Sequence, residues 1–317
     1  TIASTSQLLN PFDRTFDNDL LAELGLSEKN FAPIVFPGTP IGALSETICR
    51  LTGLDPVPVI AVAGHDTASA VIATPAENKN FAYLSSGTWS LIGIESKEPV
   101  VTEKTFALNF TNEGGADGSI RLLKNICGMW LIERCRNEWE QEKPISYEEL
   151  IKETEKAPAF RSFINPDASR FTNPKSMIEA IQSYCRETGQ PVPATVGEIA
   201  RCIFESLAFR YRQVLADLQQ LADFRIKTLH IIGGGSQNNF LNRCTANAIG
   251  MPVIAGPSEA TAIGNIMMQA KAAGIVGDIK DIRRVIRDTI PLHTFIPERH
   301  DEWKAHYTDY IHHFQEK

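Results

Sequence analysis

Four short segments of this sequence carry residue types that could do chemistry. The first is Ala63-Gly64-His65-Asp66-Thr67-Ala68-Ser69-Ala70. An acidic residue stands there between a strand-like apolar run, 57–63, and a small-residue helical stretch, 68–73. An Asp at such a junction has two readings. It caps the helix through its carboxylate, or it is a general base at the carboxyl end of a strand, where α/β proteins place ligands. The two are compatible. A helix N-terminus keeps a carboxylate ionised, and an ionised carboxylate can take a hydroxyl proton. His65 by itself reads as a packing residue.

The second segment is Ser85-Ser86-Gly87-Thr88-Trp89-Ser90. Its glycine allows close backbone approach, and its hydroxyls and N–H groups could hold phosphate oxygens. In isolation it reads as a hairpin turn. The third is Ile231-Ile232-Gly233-Gly234-Gly235-Ser236-Gln237-Asn238. Three glycines between a buried strand and a helix leave N–H groups free to face a ligand. The run is neither a Walker loop nor a dinucleotide fingerprint. A tight turn rarely needs three glycines, so a phosphate or nucleotide contact is the expectation for Gly233, Gly234 and Gly235. The fourth runs from Leu122 to Trp130. Within it Lys124 reads as a solvated charge and Asn125 as a cap for the helix that follows.

Regular elements must position these segments. Residues 18–26 predict a short helix. The β-rich runs 81–84 and 89–94 flank the Ser85–Thr88 turn and predict paired strands. The β pattern continues through 106–110 and 119–122, and 129–139 reads as a helix. The clearest helix spans 196–222, with Thr195 and Glu198 as a capping box and one apolar stripe from Ile199 to Leu221. Strands are expected at 228–232 and 252–255, and helices at 239–249 and 259–273. That alternation implies an α/β layer. The polar break at 78–80 places a domain boundary there, dividing the chain into 1–77 and 78–317.

The 317 residues are enough for a sizeable core and two domains. No apolar run approaches the roughly 20 residues a membrane span needs, and the first residues do not form a secretory signal. A first residue of Thr suggests a chain that starts partway into a gene product. A net charge of -7 argues against a nucleic-acid or anionic-membrane surface. It leaves room for a nucleotide held by backbone N–H groups and a metal. The six cysteines form no C-x-x-C pair, which points to reduced thiols in a cytoplasmic protein. There is no G-x-S-x-G for a hydrolase.

The segments occur in a fixed order. G-H-D-T-A-S-A is followed by L-S-S-G-T-W-S, L-K-N-I-x-G-x-W, I-G-G-G-S-Q-N and G-P-S-E-A-T-A-I-G-N, the last running from Gly256 to Asn265. This series resembles the FGGY carbohydrate kinases, and its wording is most similar to members acting on L-rhamnulose. The resemblance covers nearly the whole chain, including 1–10. It implies an actin/hexokinase-like fold of ribonuclease-H-like α/β domains, with 1–77 as the end of the sugar-binding domain and 78–317 as the nucleotide-binding domain. It implies transfer of the ATP γ-phosphoryl group, with Mg2+, to the 1-hydroxyl of L-rhamnulose. Asp66 would be the base, and His65, Thr67 and Asn125 would touch the sugar. Thr88, the glycines 233–235 and Asn238 would contact ATP. Other FGGY substrates (L-fuculose, xylulose, glycerol) stay open, as does a non-catalytic nucleotide- or sugar-binding fragment. Oligomeric state is not indicated.

Two departures accompany the resemblance. Glu133 stands where a Gln contacting ATP is expected, and a carboxylate there would repel phosphates unless Mg2+ intervenes. The family's N-terminal phosphate loop, with its acidic residue for Mg2+, has no counterpart in the sequence. The chain alone is therefore expected to be a poor or inactive kinase.

Overall fold

The computed structural model describes residues 1–142 and 144–314. The chain gathers into two compact units. The first comprises Thr1–Lys79, Gly93–Leu123 and Glu259–Pro291; the second comprises Asn80–Ile92, Lys124–Ser258 and Leu292–Lys317.

In the first unit, the helix Asp66–Ile72 buries every residue from Thr67 onward. The small side chains of Ala68, Ser69 and Ala70 let the helix Ala260–Ala272 approach at backbone distance. A Cβ built on Gly264 would overlap the Ser69 carbonyl oxygen, so this crossing requires glycine. The Ser69 hydroxyl donates to the Ala63 carbonyl at 2.8 Å, tying the helix to the segment that delivers it. Beyond its far end the helix Ile279–Thr289 supplies cations. Arg283 donates to Val71 O at 3.2 Å and Arg287 to Ala76 O at 2.8 Å, completing carbonyls near the negative end of the helix. Strand Thr111–Gly114 runs antiparallel to the first half of Ile120–Cys127, with Glu113 directly opposite Arg121.

Several sequence expectations shift here. The expected helix at 18–26 is Asn18–Glu23, capped by Asp17. The strand expected at 57–63 is Pro58–Ile60, paired antiparallel with Pro40–Ala43. The β run expected from 106 begins instead inside a helix, Glu103–Ala107. Thr102 and Thr105 close a capping box there, and Phe106 points into solvent rather than into a sheet face.

In the second unit, strand Phe81–Ser86 lies parallel to Thr228–Ile232, which lies parallel to Val253–Ala255. His293–Phe295 closes that side antiparallel. On the other side come the first half of Trp89–Ser96 and the second half of Ile120–Cys127. Thr228–Ile232 is buried from its second residue onward, as expected of an inner parallel strand. Helix Val196–Leu221 has the expected Thr195–Glu198 capping box. Its burial differs from one stripe: every residue from Cys202 to Tyr211 is buried, as are Gly197, Ile199, Ala200, Val214 and Leu215. Helices Tyr147–Lys156, Asn239–Ile249 and His300–Phe314 all pack on it. Gly197 admits the first of these, since a Cβ there would meet the Glu153 carbonyl. Phe160 and Phe209 pack on Trp303 with ring centroids 5.0 and 4.9 Å away.

All six cysteines are free thiols, five of them buried. Among the described residues no helix is long and apolar enough to cross a membrane.

Candidate functional site

The first unit holds His65, Asp66 and Thr67 together. His65 occupies the N-cap position in an extended conformation, and Asp66 is the first helical residue. The capping reading of Asp66 is thereby corrected. The cap position falls on His65, which makes no side-chain cap bond, and Asp66 is one residue too late to be the cap. The Asp66 carboxylate instead projects outward, with 81% of its side chain exposed. Its backbone is pinned by Thr261, whose hydroxyl donates to Asp66 O at 3.3 Å. Thr67 is buried behind it. The result is an accessible carboxylate on a rigid backbone, the arrangement a general base requires.

Two residues that sequence reasoning missed stand behind His65. Arg121 is fully buried and donates from Nη2 to Glu113 Oε2 at 2.8 Å. The same Nη2 lies 3.1 Å from His65 Nδ1. Glu113 Oε2 lies 3.2 Å from that nitrogen, and His65 Nε2 is 3.9 Å from Asp66 Oδ1. Burial alone would raise the Glu113 carboxyl; a hydrogen bond from the His65 ring in its doubly protonated form and the Arg121 charge outweigh it and hold the group below its ordinary range. A Glu and an Arg at opposed positions of neighbouring strands give no sequence signal until the register is known.

The second unit gathers the other candidates. Thr88 sits exposed on the turn between two strands. That turn is fixed by Met129 N donating to Gly87 O at 3.1 Å and Trp130 N to Thr88 O at 3.0 Å. The glycine run meets it at Ser86. Gly233 has a φ of +85° and would place a Cβ 2.9 Å from Ser86 O, while a Cβ on Gly235 would overlap the Ser86 hydroxyl. Both therefore have structural reasons to be glycine. Gly234 has none: among the described residues nothing lies within 4 Å of its Cβ position, and it is exposed. Of the three, Gly234 is the one whose lack of a side chain the fold does not explain, and it offers open backbone to a ligand.

Asn238 is buried and committed at both ends of its amide. Its oxygen caps the helix Asn239–Ile249 by accepting from Leu241 N at 3.0 Å, and its nitrogen donates to the Tyr147 hydroxyl at 3.0 Å. Burial, aided by the Glu133 carboxylate, pushes the Tyr147 hydroxyl up to about 12. Glu133 is held by Arg136 at 3.0 and 3.2 Å, and that guanidinium lies 5.6 Å from the centre of the Tyr147 ring. The charge that the sequence left unexplained is thus neutralised within the helix Trp130–Glu142. Asn125 lies exposed within strand Ile120–Cys127 and is not a cap, because the following helix begins only at Trp130. Lys124 is half-buried rather than solvated, and burial, then the Arg210 charge, lowers its ammonium. Among the described residues no cluster of three His, Cys, Asp or Glu side chains forms a ready metal site.

The chain has relatives among known proteins. The profile of the FGGY carbohydrate-kinase C-terminal domain matches residues 82–273, and that of the N-terminal domain matches residues 1–73. A rhamnulokinase of Bacteroides thetaiotaomicron is 58% identical over 307 residues, covering 97% of this chain and 63% of the relative. A rhamnulokinase of Bacillus subtilis is 45% identical over 298 residues, covering 94% of this chain and 61% of the relative. This chain therefore spans somewhat over three-fifths of the length of these relatives. Among solved structures, a xylulose kinase from Lactobacillus acidophilus superposes with a TM-score of 0.76 at 15% identity, over 98% of this chain and 62% of that one. A Plasmodium falciparum glycerol kinase with ADP gives 0.71 at 14%, over 98% and 62%. The shared fold is the actin/hexokinase-like α/β class expected from the motifs. On the two domain matches and the identity to its relatives, the chain belongs to the FGGY family of carbohydrate kinases.

Proposed function

We propose that the protein to which this chain belongs transfers the γ-phosphoryl group of ATP to the 1-hydroxyl of L-rhamnulose, giving L-rhamnulose 1-phosphate and ADP. The observation that carries this reading is the exposed Asp66 carboxylate, fixed between His65 and buried Thr67, in a chain 58% identical to a rhamnulokinase. Residues 1–77 are assigned to the end of the sugar-binding domain and 78–317 to the nucleotide-binding domain, an assignment supported by the separate family matches at 1–73 and 82–273.

In this reading Asp66 accepts the proton of the attacking hydroxyl. His65 and Thr67 orient the sugar, and Asn125 contributes from the exposed strand position. Thr88 and the backbone at Gly234 meet the nucleotide. Gly233 and Gly235 act indirectly, by letting the glycine turn close on Ser86. Asn238 acts indirectly too, by joining Tyr147 to the helix cap. Mg2+ neutralises phosphate charge when it accompanies the nucleotide. Phosphoryl transfer depends chiefly on positioning and charge stabilisation, so one base and a phosphate cradle suffice as the protein's share.

The test is a substrate panel. ADP release by the complete gene product is measured with L-rhamnulose, L-fuculose, D-xylulose and glycerol. Preference for L-rhamnulose is expected. Preference for another sugar would keep the kinase and discard the substrate. No turnover with any of them, alongside retained nucleotide binding, would favour a binding role.

A further inference from the structure

We propose that Arg121 and Glu113 are positioning residues that set the tautomer of His65, keeping Nδ1 bare and placing the ring proton on Nε2. Two neighbours compete for Nδ1. Arg121 Nη2 lies 3.1 Å from it and Glu113 Oε2 lies 3.2 Å from it. One nitrogen cannot accept from the guanidinium and donate to the carboxylate at once, so the neutral ring must choose.

Three observations favour acceptance from Arg121. The guanidinium N–H is directed at the nitrogen, meeting hydrogen-bond geometry. Arg121 is fully buried and its Nη1 has no partner among the described residues, so turning a second N–H away from an acceptor would leave more buried donors unmet. Glu113 is meanwhile supplied by the same Nη2 at 2.8 Å and does not need the imidazole proton. The guanidinium is itself fixed, with Nε donating to Gly114 O at 3.2 Å. The ring is thus held from behind by one strand pair.

The consequence lies on the other edge of the ring. Nε2–H faces Asp66, whose Oδ1 is 3.9 Å away. His65 then offers a donor beside an acceptor: it can give a hydrogen bond to a sugar oxygen while Asp66 takes the proton of the reacting hydroxyl. The opposite tautomer would set two acceptors side by side and leave the sugar oxygen without a donor there. This use of the donor rests on the kinase reading above; the tautomer itself does not.

The experiment uses this chain labelled with 15N-histidine. Two-bond proton–nitrogen correlation spectra are recorded at about pH 8.5, above the ordinary imidazole range, and His65→Gln identifies the signals of His65. We expect the pattern of a bare Nδ1 and a protonated Nε2 in the unaltered chain. A protonated Nδ1 there overturns the proposal, and this needs no variant to fold. Arg121→Met, where it folds, is expected to move the proton to Nδ1, facing Glu113; an unchanged Nε2–H in a folded Arg121→Met would also overturn it. Addition of L-rhamnulose to the same sample tests the kinase reading separately. Unmoved His65 signals would count against a sugar at this site and leave the tautomer result standing.

Discussion

Gly234→Ala separates the fold from the proposed nucleotide contact. Among the described residues nothing lies within 4 Å of the position its Cβ would take, and its φ is not in the left-handed region. A methyl there meets no atom of the described residues. Replacing Gly by Ala at a compatible position raises stability by about 0.4–1 kcal/mol through the unfolded chain. If the nucleotide lies against this backbone, the methyl intrudes on it. Overpacking of that kind costs about 1–3 kcal/mol, roughly a 5- to 150-fold loss of affinity. The assay is calorimetric titration of Mg-ADP into this chain, beside thermal unfolding of both forms. The expected pairing is unchanged or slightly raised stability with weakened ADP binding. Equal ADP affinity in a fully folded Gly234→Ala would refute the placement of nucleotide at this glycine. The neighbouring Gly235→Ala gives the contrast: its Cβ would overlap the Ser86 hydroxyl, so it should lose stability first.

Three further outcomes follow from the packing and the charges. Gly264→Ala forces the helix Ala260–Ala272 off the Ser69 carbonyl and should destabilise the protein by about 1–3 kcal/mol, read as a lowered midpoint in urea. Glu113 has a folded-state pKa below its unfolded value, so its stabilisation is present above the ordinary carboxylate range and is lost as pH falls through the depressed value. Unaltered protein should therefore exceed Glu113→Gln in stability at neutral pH, with the gap narrowing in acid; a gap of constant size from pH 7 to pH 3 would contradict the pairing with Arg121. Arg136→Met removes the partner of Glu133, and its cost should appear as weaker Mg-ADP binding at Glu133's end of the site. Glu133→Gln in the same background should recover it, and no recovery would show that the charge of Glu133 is not the cause.

Much of this molecule was legible in the sequence. The capping box at Thr195 and Glu198 and the strand–glycine–helix run from Thr228 to Ile249 depend on local chemistry, and they appear where local chemistry puts them. One miss was local and the rest were tertiary in origin. Phe106 has a strand-like neighbourhood, yet the Thr102–Thr105 capping box starts a helix there. Asn125 resembles a cap until the strand beneath it is seen to run on to Cys127. The glycine run looked like three equivalent contacts, whereas Ser86 accounts for two of them. Glu113 and Arg121 were invisible because their meaning lies in strand register rather than in spacing along the chain.

The central claim, that Asp66 is the base of a sugar kinase, is tested most directly by Asp66→Asn in the complete gene product. Its side chain is 81% exposed, so the change should leave folding intact. The measurement is ADP release with saturating L-rhamnulose, with sugar binding followed in parallel. The account predicts a fall in kcat of about 10²–10⁴-fold with binding largely kept. Turnover within a factor of two of the unaltered enzyme would contradict it.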